Sequence, residues 1–171
     1  MKRKSIYIIA ALMVIALAGI VIGQLILQRI LQGNVTINGR MIEIYADYPG
    51  TTPITTVDFG APFYADQVTS DPISRTVYLH DLDLTSAQYS ITANTTGLPS
   101  GVSFSVVAMK GDGIWNDPHT ISNPADPIIL GYVPENDIYR WAQCTITLSL
   151  NGEPATAGSY TFSINFYAAK I

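Results

Sequence analysis

From Asn34 to the C-terminus, apolar and polar residues alternate with a period of two, the pattern of strands with one buried and one wet face. The last run is the clearest, with Tyr160, Phe162, Ile164, Phe166 and Ala168 alternating with Thr161, Ser163, Asn165 and Tyr167. Before it, Cys144, Ile146, Leu148 and Leu150 alternate with Thr145, Thr147 and Ser149. Residues 151–158 join the two runs, so a C-terminal hairpin is predicted. Val102, Phe104, Val106 and Ala108 mark another strand, as do Ala87, Tyr89, Ile91 and Ala93, with a turn over residues 96–101 between them. Residues 75–80 and 54–59 also read as strands, and residues 35–45 form the first run of the series. In that first run Val35 and Ile37 share one face while Ile42 and Ile44 share the other, which predicts a bulge or tight hairpin at Asn38-Gly39. Residues 111–137 are rich in Pro, Asn and Asp, with only 127–132 strand-like, and read as a long surface loop. The expected fold is all-β, an Ig-like or jelly-roll antiparallel β-sandwich of seven to eight strands.

The first 32 residues follow a different pattern. After Lys2-Arg3-Lys4, residues 5–27 carry no charge and are almost wholly apolar. At ~1.5 Å per residue such a helix spans a hydrocarbon layer of ~30 Å. This predicts one N-terminal apolar helix, and a division into a membrane anchor or signal segment at 1–32 and an extracytoplasmic β-sandwich at 33–171. Ala16-Leu17-Ala18 offers a cleavage site for a secretory signal, but the apolar run continues through Ile20, Val21 and Ile22, which favours a retained anchor. A retained anchor puts the N-terminus in the cytoplasm and the domain at the cell surface. A type IV pilin would need a processing site before the helix and usually a glutamate just inside it, and neither is visible.

Charge divides along the same boundary. The net charge of -4 combines nine cations with thirteen acids, and all thirteen acids lie beyond residue 34 with only Arg40, Arg75, Lys110, Arg140 and Lys170 to offset them. That portion carries -8 and repels phosphate backbones, so nucleic acid is not an expected partner. The single cysteine, Cys144, shares a strand face with Ile146 and Leu148, which predicts a buried thiol and excludes an internal disulfide.

Candidate chemistry is sparse. Asp112, Asn116 and Asp117 cluster around Gly113 and Trp115 with oxygen groups that suit a hard cation, but their spacing matches no EF-hand, and Asx hydrogen bonds in a turn explain them better. His80 and His119 are isolated in sequence, the first expected on the solvent side of a strand and the second in a loop. Asp58-Phe59-Gly60 spells part of a kinase signature without any companion motif. Asn34-Val35-Thr36 and Asn94-Thr95-Thr96 are glycosylation sequons. Trp115 and Trp141 lie near the long loop, and aromatics on strands more often pair in cores than form a sugar-binding platform. No nucleophile, acid–base pair or cofactor motif can be assembled, so no cofactor and no enzymatic activity are expected.

Residues Ile42-Glu43-Ile44-Tyr45-Ala46-Asp47, then Thr56-Val57-Asp58-Phe59-Gly60, Thr76-Val77-Tyr78-Leu79 and the closing Ala157-Gly158-Ser159-Tyr160-Thr161-Phe162 carry a resemblance. In order and character the chain resembles archaeal surface proteins with an N-terminal apolar segment and an Ig-like or jelly-roll domain, similar to the subunits of archaeal threads and bundling pili. The resemblance implies a filament subunit assembled by strand exchange, here through residues 33–45 with Val35, Ile37, Ile42 and Ile44 as the inserted side chains. The expected function is therefore a non-enzymatic cell-surface structural protein, attached to the membrane through residues 5–27 and associating with itself or with neighbouring surface proteins. The alternatives are an anchored accessory subunit of a larger membrane complex and an anchored adhesion module.

Overall fold

Alternation along the chain becomes ten strands: β1 (Gln28–Asn38), β2 (Ile42–Tyr45), β3 (Thr56–Tyr64), β4 (Ile73–Asp81), β5 (Gln88–Thr96), β6 (Val102–Gly111), β7 (Trp115–His119), β8 (Ile128–Gly131), β9 (Trp141–Leu150) and β10 (Gly158–Lys170). The computed structural model describes residues 28–38, 42–64, 69–83, 85, 87–111, 113–131, 140–152 and 158–171. The apolar run at 5–27, with the helix and the membrane contact expected of it, lies outside the described residues. Among the described residues no helix is long and apolar enough to cross a membrane. β1 begins at Gln28, five residues before the position where hydropathy places the start of the sandwich.

The strands form two five-stranded sheets, sheet I in the order β3-β1-β10-β5-β8 and sheet II in the order β2-β4-β9-β6-β7. Their inner faces share one core, in which Phe59, Phe63, Leu79, Ile91, Ile128, Leu130, Ile146, Phe162 and Phe166 are among the largest fully buried side chains. Cys144, Ile146 and Leu148 all point into it, as their alternation predicts.

Consecutive strands lie in opposite sheets at every connection except β6 to β7. This overturns the predicted C-terminal hairpin: β9 lies inside sheet II between β4 and β6, and β10 lies inside sheet I. Period-two alternation is equally strong in a hairpin and in a pair of strands facing each other across a core. A connection of seven residues at ~3.3 Å each easily spans the ~10 Å between sheets.

The same crossing explains the parity change at the start of the domain. Val35, Ile42 and Ile44 are all buried. The core lies on opposite sides of β1 and β2 because the chain passes from sheet I to sheet II between them, so the change marks neither a bulge nor a hairpin. The first run is thus two strands. The expected loop at 111–137 holds β8 on the stretch 127–132 that reads as strand-like, but also one strand more, β7, and a fully buried Ile121. β7 has the sequence Trp-Asn-Asp-Pro-His, which carries little β propensity, and it is held as an edge strand by its pairing with β6. These two changes raise the expected seven to eight strands to ten.

Candidate functional site

The strand most exposed to functional interpretation is the first one. β1 is central in sheet I, antiparallel to β3 on one side and parallel to β10 on the other. β3 and β10 therefore run antiparallel to each other, and β1 separates two strands whose directions would allow them to pair directly. Parallel pairing sets the first of the described strands beside the last, from Arg29 opposite Gly158 to Asn38 opposite Tyr167.

Gly33 fixes how β1 sits in this slot. A β-carbon built there would lie 3.0 Å from Ile164 Cδ1 and 3.2 Å from both Phe162 Cζ and Phe59 Cε2, so three core side chains close over a position that has room only for hydrogen. Phe59 and Phe162 meet with ring centroids 5.9 Å apart. Two residues on, Val35 is buried on the same face, and its N–H donates to the carbonyl of Thr55 at 2.8 Å. Asn34 points outward between them, half-buried.

The other strand-exchange candidates separate. Ile37 lies in β1, with its side chain outside the described set, while Ile42 and Ile44 belong to β2 at the edge of sheet II. Where the chain leaves β1 for β2, a cavity of about 280 Å³ is lined by Val35, Ile42, Glu43, Ile44, Pro53, Ile54 and Thr55. Ile54 donates its N–H to the Ile44 carbonyl at 2.8 Å, so residues 53–55 link β2 to β1 along this side of the sandwich.

The candidate cation cluster of Asp112, Asn116 and Asp117 is described only in part. Asp112 lies outside the described residues, and Asn116 and Asp117 are exposed on β7. Asp117 has φ 58° and is engaged by Lys110 Nζ at 2.9 Å and His119 Nε2 at 3.4 Å. Lys110 above all holds its carboxyl below the usual range. His119 Nδ1 meets Asp126 Oδ1 at 2.8 Å, and this bond, supported by Asp117, raises the imidazole pKa against the effect of burial. Among the described residues no three His, Cys, Asp or Glu side chains group so as to hold a metal ion.

Sequence reasoning missed two features. The first is an aromatic cluster on the outer face of sheet II. Tyr48 packs edge-on against Trp115 and Trp141, each at 5.1 Å between centroids, and lies 6.0 Å from Tyr78. His80 stacks on Trp141 at 3.9 Å and 5°, and Tyr45 completes the group at 5.5 Å from Trp141. Burial and a 2.5 Å bond from its hydroxyl to Glu43 push the Tyr45 phenol up to about 12. The cluster pins the chain after β2 onto the sheet, and it places His80 beneath a ring where the alternation suggested open solvent. Tyr45, Tyr78 and His80 at alternate outward positions of adjoining strands were the available signal.

The second is a pair of buried carboxylates, Asp81 and Asp83, at the end of β4. Asp81 Oδ1 accepts the Asp83 N–H at 2.9 Å, Oδ2 has no hydrogen-bond partner among the described residues, and burial raises the pKa. Asp83 accepts from the Thr85 N–H at 2.9 Å and the Tyr89 hydroxyl at 2.8 Å, and the bonds from Thr85 lead in lowering its pKa. Alternate acids in Asp-Leu-Asp ending a strand were the cue. In Asp58-Phe59-Gly60, Phe59 is core, Gly60 has φ 69°, and its N–H is accepted by Asp58 Oδ1 at 2.7 Å, a local turn within β3. Asn34 on β1 and Asn94 on β5 both face outward from sheet I.

No family model matches this chain, and no curated protein matches it. Among solved structures it is similar to the full-length major pilin RrgB from Streptococcus pneumoniae, with 17% identity over 67% of this chain and 21% of that one at a TM-score of 0.29. It is also similar to the CupB6 tip adhesin from Pseudomonas aeruginosa, with 11% identity over 85% of this chain and 42% of that one at a TM-score of 0.28. A third similar structure is TmCBM61 in complex with β-1,4-galactotriose, with 11% identity over 82% and 87% of the two chains at a TM-score of 0.26. The chain spans about a fifth of the pilin and under half of the adhesin. At these TM-scores the likenesses carry no argument about fold or role.

Proposed function

We propose that this chain is a non-enzymatic structural protein of the cell surface, a filament subunit in which the first strand of one copy enters the sandwich of the next. One observation carries the reading: β1 is wedged between β3 and β10, two mutually antiparallel strands of an otherwise complete sandwich. With β1 and β2 set aside, the remaining eight strands form the sheets β3-β10-β5-β8 and β4-β9-β6-β7, which favours a jelly roll over an Ig-like order. A strand that is additional to the sandwich and lies at the chain's N-terminal end is suited to donation. Its slot supplies ladder partners on both sides and a glycine-sized gap at Gly33 that selects one register. The exchanged segment is then β1 itself, residues 28–38, with β2 remaining in its own subunit.

Donation requires that the apolar segment be released from the membrane. Protein taken from the cells that make it is expected to begin near Gly19 or later and to sediment as heat-resistant polymer, and deletion of residues 28–38 from that form should abolish the polymer. An intact Met1 in detergent-soluble material sinks the filament reading and leaves an anchored adhesion module or an accessory subunit of a membrane complex.

A further inference from the structure

Four large apolar side chains are well exposed among the described residues: Ile114, Ile129, Tyr167 and Ile171. Three of them share the outer face of sheet I. Tyr167 is 42% and Ile129 41% exposed. Register sets them at the same corner of the sheet, with Ile129 on the edge strand β8 two strands from β10: Ser90 on β5 lies opposite both Ala169 on β10 and Ile129, while Thr92 lies opposite Tyr167. Ile171 follows at the end of β10, where its N–H donates to the Gln88 carbonyl at 3.0 Å.

Around this patch the outward positions are hydroxyls and amides. Gln32 and Asn34 on β1, Thr161, Ser163 and Asn165 on β10, and Ser90, Thr92, Asn94 and Thr96 on β5 carry no charge. Among the described residues the exposed carboxylates Asp47, Asp71 and Asp117 lie on loops and on the edge strand β7 of the other sheet, while Asp58, on the edge strand β3, faces outward opposite Gln32 at the rim of this face. An exposed apolar patch at one corner of a face depleted of charge matches the composition of a protein interface. β1, β10 and β5 with eleven, thirteen and nine residues and β8 with four, at ~3.3 Å per residue and ~4.8 Å spacing, give a face on the order of 600 Å², at the lower end of the ~600–1,000 Å² per partner of a stable complex.

We infer that this face joins two copies of the chain side by side about a two-fold axis. Charge selects the partner. Residues 34–171 carry thirteen acids against five cations, so two copies repel at their edges and ends and meet with least repulsion across the uncharged outward positions of β10 and β5. Hydroxyls and amides both donate and accept, so the same surface can satisfy its own copy, and the apolar patches coincide at the axis. The contact is separate from strand exchange, which uses the edges of β3 and β10 and not their outward side chains.

The test uses the full-length chain in detergent micelles. Cys144 is fully buried and its thiol pKa is raised by burial, so an introduced cysteine reports alone. Tyr167→Cys is expected to give a covalent dimer on mild oxidation, whereas Thr76→Cys, exposed on the outer face of sheet II, is not. Tyr167→Asp sets two carboxylates against each other across the axis and is expected to weaken association at least tenfold by sedimentation, with the unfolding midpoint unchanged. Equal crosslinking at both positions overturns the inference, as does undiminished association of Tyr167→Asp. Sugar on Asn94 in protein from its own cells also overturns it, because a glycan there would cover the face. Failure of strand exchange, read from the polymer assay on the 28–38 deletion, leaves these outcomes unchanged.

Discussion

Valine at position 33 would place three carbons where the structure leaves space for a hydrogen. The first of them would lie 3.0–3.2 Å from the ends of Ile164, Phe162 and Phe59, closer than carbon atoms pack. Each neighbour must yield a few tenths of an ångström, and all three stand in one close-packed core. Overpacking of this kind costs about 1–3 kcal/mol, while replacing glycine restrains the unfolded chain and returns about 0.4–1 kcal/mol. Gly33→Ala is therefore expected to lose ~1 kcal/mol and Gly33→Val, with two further methyls, ~3 kcal/mol. For a domain of this size the valine change corresponds to a drop of roughly 10 °C in Tm. Asn34→Val is the control, since that side chain points outward and surface changes stay within ~0.5 kcal/mol. The assay is thermal and urea unfolding followed by circular dichroism. A Gly33→Val protein melting within about 1 °C of the native chain would refute the placement of β1 in the slot. In a polymer the same clash falls between subunits, so the valine variant should also lower the temperature at which filaments dissociate.

Tyr48→Ala removes one ring from contact with Trp115, Trp141 and Tyr78. At about 0.5–1.5 kcal/mol per aromatic pair, discounted for partial exposure, it should cost ~2 kcal/mol and shift tryptophan emission to the red; unchanged emission would show that the ring does not hold this segment. His119 has a raised folded pKa, so its contribution is fully present below the unfolded value near 6.5 and is lost as pH rises through the folded value. The stability difference between native protein and His119→Asn should shrink across that window, and a difference that stays flat with pH would count against the Asp126–His119–Asp117 network. Cys144 should resist thiol reagents in the native state and react once denatured, and Cys144→Ser should lose about 1–3 kcal/mol by burying an unpaired hydroxyl. Rapid native labelling would contradict its burial.

The buried faces of β4, β5, β6, β9 and β10 were legible because each alternates over several residues against one core. Connectivity was not. A strand's period reports which side chains are buried but not which sheet buries them, and so the β9–β10 hairpin was expected where an arch was found. The break in parity between Ile37 and Ile42 did carry that information, since a chain crossing the core must reverse its inward side. β7 was illegible because its residues have little strand preference and it exists through pairing with β6. Of the site, the segment was visible as an N-terminal strand, but its place in the sheet depends on contacts between the first and last of the described strands, and no local pattern encodes them. The aromatic cluster was hidden for a similar reason: Tyr48 lies in a loop and draws together rings from three strands, β4, β7 and β9.

The wedged position of β1 also sets up a race. Its parallel neighbour is the last strand to be made, so β1 must wait, paired at most with β3, until β10 exists. When β10 arrives it can take its place beside β1, or it can meet β3 directly, since those two are antiparallel. The second outcome shuts the door with the first strand outside. Which event comes first decides whether a newly made chain is a closed unit or a unit with a free arm, so the order of synthesis and the time for which residues 28–38 are held elsewhere govern the fate of the molecule as much as the stability of either form.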